Sequence, residues 1–264
     1  MKIKRVLLLL LITVVSTTLI GCQSNISQEP RLTSLEHDVN DKIVIEELQA
    51  KDILLRNSEL TSLIKSLKVN HDVKIKTEEY EESIFVDMDL FYSKGSIKKA
   101  SILFKGQAEY EILLPDIEEK VLFVKDSESE EWIKQTIEDY RVQPDYFTLL
   151  EKLEGLSVSK PDTLSLKEEI DSYKLTVKDK ESEIDIFQLL GEQFSSKITS
   201  EDLKSSRQEF EVVVDKENLF ITGITLIIKD DEKIILEGKI SFSEFNSLKD
   251  NITQPEEFID LNEQ

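Results

Sequence analysis

From residue 69 onward, apolar side chains fall on every second position. Val69, His71, Val73, Ile75 and Thr77 alternate with polar neighbours, and Ile84, Val86, Met88, Leu90 and Tyr92 repeat the pattern. A period of two belongs to a β-strand with one face turned inward. Lys94-Gly95 is a turn signal, and residues 97–104, 110–114 and 120–125 are expected as the next strands. Short connections between successive strands predict antiparallel neighbours.

Helical spacing flanks this run. Ser58 is a candidate N-cap, and Leu60, Leu63, Ile64 and Leu67 follow at i, i+3, i+4 and i+7, with an earlier helical piece over 43–55. A second helix is expected over 135–154, broken at Pro144 and carrying Tyr146, Phe147, Leu149, Leu150 and Leu153. Residues 155–161 read as a linker. Tyr173, Leu175 and Val177 then alternate as a strand, and Ile186, Phe187, Leu190 and Phe194 return to helical spacing. Residues 210–214, 220–229, 233–237 and 239–245 complete a second meander. The acidic tail from Asn251 is expected to pack loosely, apart from Phe258 and Ile259. The pattern predicts an α+β protein, a curved antiparallel sheet packed on helices, as one domain or two related lobes.

The N-terminus follows a different logic. Lys2, Lys4 and Arg5 precede an apolar run from Val6 to Ile20. That run is about 15 residues long, short of the roughly 20 a spanning helix needs, and fits the core of a signal peptide. It closes on Leu19-Ile20-Gly21-Cys22, which resembles the lipobox of bacterial lipoproteins: aliphatic, variable, small, then cysteine. The resemblance implies acylation of the Cys22 sulfur and cleavage before it. Each buried acyl CH₂ contributes about 0.8 kcal/mol, so two or three chains hold a protein firmly on a membrane. The expected organisation is a signal peptide over 1–21, a lipidated flexible tether over 22–31, a helix with antiparallel strands over 32–155, and a second helix-and-strand lobe over 156–264. The expected location is the extracytoplasmic face of the cell membrane.

Charge narrows the partners. The 264 residues include 33 Lys or Arg and 54 Asp or Glu, a net charge of −21. Removing residues 1–21 takes away three positive charges and leaves −24. Such a surface does not suit nucleic acid, whose phosphates need clustered cations. The single cysteine leaves no internal disulfide. His37 and His71 stand apart, which argues against a metal site. The acidic run Asp126, Glu128, Glu130 and Glu131 lacks the spacing of a calcium loop. Asp87 and Asp89 share a strand face, but 54 acids make such pairs common. No G-x-S-x-G elbow or Gly-rich phosphate loop occurs. The reading is a protein that is not an enzyme and has no cofactor.

The order of elements also resembles the half-barrel lipoprotein carriers of the LolA/LolB and LppX/LprG groups. The helix-to-strand passage over 60–76 is similar to the opening of such domains. So is the stretch 209–245, followed by Ile252-Thr253-Gln254-Pro255-Glu256-Glu257, which is similar to a closing I-T-x-P-E-E of Gram-positive lipoproteins. The likeness covers most of 52–257. It implies an apolar cavity for acyl chains between sheet and helices. Candidate lining residues are Leu60, Leu63, Ile64 and Leu67 from the helical stripe. Ile84, Val86, Met88 and Leu90 join them from the strand. The ligand would be a lipid or other apolar molecule. The alternative is an envelope interaction or assembly factor with a solid core and a protein partner.

Overall fold

The structure is a computed structural model, and it describes residues 48–76, 81–129, 131–137, 142, 145–159, 164–177, 206–230 and 233–260. The signal peptide, Cys22, His37, Thr77 and the expected helix over 186–194 lie outside the described residues. Everything below belongs to the compact unit Gln49–Gln264.

Twelve described strands form one sheet. In chain order they are β1 (Ser66–Lys76), β2 (Glu81–Ser93), β3 (Ser96–Lys105), β4 (Glu109–Leu114), β5 (Val121–Asp126) and β6 (Trp132–Thr136). After these come β7 (Leu164–Glu168), β8 (Ser172–Val177), β9 (Arg207–Asp215), β10 (Ile221–Asp230), β11 (Lys233–Ser243) and β12 (Phe258–Asp260). Two described α-helices accompany them, α1 (Ala50–Thr61) and α2 (Tyr146–Ser159).

The spatial order is β12-β6-β5-β4-β3-β2-β1-β11-β10-β9-β8-β7. Every neighbouring pair is antiparallel except β12 and β6. The fold is α+β, an open and curved half-barrel sheet with helices, as the alternation predicts. From β1 at the centre the chain steps outward to β6. It then reappears at the opposite edge as β7 and steps back to β11, which closes on β1. The link between β6 and β7 must therefore cross the width of the sheet, and it carries α2 with it.

Several elements differ from expectation. Helix α1 starts eight residues before Ser58, where Asp52 accepts the backbone N–H of Gln49 at 2.9 Å. Ser58 lies inside the helix, and its carbonyl accepts a hydrogen bond from Thr61 at 2.6 Å. The spacing of Leu60, Leu63, Ile64 and Leu67 is helical by coincidence, because the four span a helix end, a turn and the start of β1. Gln135 and Thr136 belong to β6, and the second helix starts only at Tyr146, beyond Pro144. The expected linker at 155–161 opens as the last turn of α2. The strands expected at 233–237 and 239–245 are one, β11. Phe258 and Ile259 form part of β12, which shields the edge of β6. No described helix is long and apolar enough to cross a membrane.

Candidate apolar ligand site

Strand β1 organises the inner face of the sheet. Its alternation buries Leu67, Val69, His71, Val73 and Ile75. On one side Leu67 stands opposite Leu90, Val69 opposite Met88, His71 opposite Val86 and Val73 opposite Ile84. On the other, Val69 faces Phe242 and His71 faces Ile240. The aliphatic surface continues to Ile102 on β3 and to Ile224 and Val212 on β10 and β9. Burying each such side chain stabilises the fold by roughly 1.5–3 kcal/mol.

Ion pairs occupy the opposite face. Lys68 lies 3.2 Å from Asp87 and 3.5 Å from Asp89, Lys174 lies 3.4 Å from Glu211, and Lys229 lies 2.9 Å from Glu209. The carboxylate pair Asp87 and Asp89 thus serves one lysine on the outside of the sheet. Asp126 closes the turn after β5 by accepting the Glu128 N–H at 2.7 Å. Phe123 is core, edge-on to Phe258 at 5.2 Å, whereas Trp132 is half-buried beneath Lys125.

A polar clasp fixes the helices over the inner face. The Tyr146 hydroxyl accepts the Ile221 N–H at 2.9 Å and the Asn57 side-chain N–H at 3.1 Å. Asn57 also donates to the Leu219 carbonyl, so one buried pair ties α1, α2 and the start of β10. Burial pushes the Tyr146 phenol up to about 12, against the pull of the bonds to Asn57 and Ile221. The Tyr146 ring stands edge-on to Phe242 at 5.0 Å. Beside it the Tyr92 hydroxyl donates to Asp145 at 3.0 Å, and Asp145 caps α2 through Thr148. Burial raises the Asp145 carboxyl above its ordinary range, while its hydrogen bonds oppose the shift.

Among the described residues, His71 has no such partner. The side chain is 0% exposed, and neither ring nitrogen makes a hydrogen bond. Burial pushes its pKa down to about 3, which leaves the imidazole neutral at physiological pH.

No protein-family model and no curated protein matches the chain. Among solved structures, it is similar to LprF from Mycobacterium bovis at 16% identity, over 78% of this chain and 96% of that one, with a TM-score of 0.48. The lipoprotein LppX of Mycobacterium tuberculosis is 13% identical over 77% and 97% of the two chains, with a TM-score of 0.42. A LolA superfamily protein from Nitrosomonas europaea is 12% identical over 79% and 99%, with a TM-score of 0.28.

The candidate lining residues divide by burial. Ile84, Val86, Met88 and Leu90 share the inner face with Leu67, and Ile64 is buried in the turn before β1. Leu60 is half-buried near the end of α1. Leu63 is 57% exposed and lies beyond the end of α1. The alternation contains His71 among its inward positions; its lack of any partner has no signal in sequence. Neither has the meeting of Asn57 with Tyr146, which lie 89 residues apart.

Proposed function

We propose that this chain is a lipoprotein anchored through Cys22 on the extracytoplasmic face of a bacterial membrane. Its inner sheet face holds an acyl chain or another apolar ligand without chemical conversion. The size of that face is the observation that carries the reading. The six central strands, β3 to β9 in spatial order, run 9 to 13 residues. They present about 24 Å by about 30 Å of aliphatic surface. The two described helices have 12 and 14 residues. At roughly 10 Å wide and ~18 and ~21 Å long, they match little more than half of it. Among the described residues the apolar face is wider than its helical cover, which suits a ligand lying between the layers.

Two measurements test the reading. Mass spectrometry of the membrane fraction is expected to find an acylated Cys22 at the N-terminus, and Cys22→Ala is expected to abolish it. Lipid extraction from the purified protein is expected to yield acyl species, and Val86→Trp or Met88→Trp is expected to expel them while circular dichroism stays unchanged. A protein that carries no lipid and takes up no fluorescent fatty acid overturns the carrier reading. A second reading, a docking module for an envelope protein, is favoured by outward apolar side chains on the helices. Leu55 is 59% exposed and Val158 77%.

A further inference from the structure

We infer that His71 is the polar contact of the ligand face, and that the molecule held there carries a neutral hydrogen-bonding oxygen, a hydroxyl or ester, on a hydrocarbon frame. This rests on the apolar-ligand reading above and adds the chemistry of the ligand's polar group.

The imidazole sits midway along the central strand of the sheet. Val69 and Val73 flank it on β1, Val86 stands opposite on β2, and Ile240 on β11. The described charged residues nearest in register, Asp72, Asp87 and Lys239, occupy the alternate positions that face outward. Leucine or valine would continue the pattern at no polar cost. A histidine with both nitrogens unpaired is instead a standing penalty, since each buried unsatisfied group destabilises a fold. The other buried polar side chains described above, Tyr92, Tyr146 and Asn57, all have partners within the chain. No described residue completes His71 in the same way, and a partner from outside would.

The neutral ring offers one N–H donor and one lone-pair acceptor. A hydroxyl complements both, and an ester oxygen complements the donor. A carboxylate or phosphate would enter an aliphatic surround with no cation beside it, which is strongly unfavourable. The lowered basicity of the ring points the same way, because it withholds the proton an anion would need. A purely hydrocarbon ligand would leave the ring unpaired.

The sequence supplies two clean reporters. The histidines are His37 and His71, and the methionines are Met1 and Met88. The Met88 methyl lies on the same inner face as His71, one strand away, and senses any occupant. The full-length chain, held in an amphipathic polymer with ¹⁵N-histidine and ¹³C-methyl methionine, is titrated with 1-dodecanol and with dodecane delivered from cyclodextrin. His37→Asn assigns the ring signals. Both probes are expected to shift Met88. Dodecanol is expected to bind about tenfold more tightly, the worth of one buried hydrogen bond, and alone to move the His71 ring nitrogens. In His71→Leu the preference is expected to vanish while the Met88 shift persists. Equal binding with an unmoved ring overturns the role of His71 and leaves the carrier reading intact. Failure of both probes to shift Met88 overturns the carrier reading itself. If His71→Leu fails to fold, the wild-type ring signals decide alone.

Discussion

Two buried side chains of the inner layer show opposite solutions to one problem. Tyr146 is fully paired, and Tyr146→Phe removes the acceptor for the Ile221 N–H and a partner of Asn57. The loss is expected to destabilise the fold by about 1–3 kcal/mol, read as a lower urea midpoint at unchanged slope. His71 is unpaired, and its effect depends on pH. Its folded pKa, about 3, lies below the unfolded value of 6.5. The unfolded chain therefore binds the proton first as pH falls. Nothing is lost above pH 6.5; stability then declines between the two values at about 1.4 kcal/mol per pH unit. His71→Leu lacks that decline. Between pH 7 and pH 5 the wild type is expected to lose about 2 kcal/mol more than the variant in paired urea titrations. An equal loss in both proteins would mean that water reaches the ring in solution and lets it protonate in the folded chain.

At the scale of elements, what the sequence discloses follows the burial pattern. Strand β2 is legible because Ile84 to Tyr92 alternate without a break, and the structure buries each inward member. Helix α1 is misplaced because its buried stripe is short and partly polar: Ala50, Ile53, Leu54 and Asn57. Asn57 earns its inward place only through Tyr146, a contact no local pattern records. Strand β6 is hidden for a related reason. Trp132 to Thr136 show little alternation, and pairing to β5 and β12 holds them as a strand. Strand β12 is likewise set by tertiary contact, through Phe258 on Phe123 and an ion pair of 2.7 Å between Lys134 and Asp260. It covers an edge that would otherwise offer unpaired backbone groups. Deleting residues 255–264 is expected to speed hydrogen exchange at Ile133 and Gln135 and leave β1 and β11 protected, as mass-resolved exchange would register.

The whole molecule poses the question of one domain or two lobes. Each half is a meander, β1 to β6 and β7 to β11; the C-terminal β12 returns to the first half beside β6, and the long described seam between the meanders is the ladder of β1 with β11. That ladder pairs eight residues on each strand, from Lys68 with Ser243 to Ile75 with Leu236. Two further features bridge the halves. The Asn57–Tyr146 clasp joins α1 to α2 and to β10, and Asn246, just past β11, accepts the Lys65 N–H at 2.6 Å and donates to the Leu63 carbonyl at 3.0 Å. Separating the halves would strip Val69, Val73 and Ile240 of their neighbours at the centre of the core. Such a seam favours a single cooperative unit. The lone tryptophan makes this measurable, because Trp132 lies near the far flank of the first half, next to β12. Its fluorescence reports that flank, whereas far-ultraviolet circular dichroism reports the entire sheet. In urea, the chain from residue 32 onward is expected to give coincident transitions by the two probes. A fluorescence change that completes at lower urea than the loss of strand signal would instead define two lobes unfolding in turn. The same experiment on Asn57→Ala sharpens the test: if the clasp couples the halves, its loss shifts both transitions together, and a shift confined to fluorescence would assign the clasp to the first half alone.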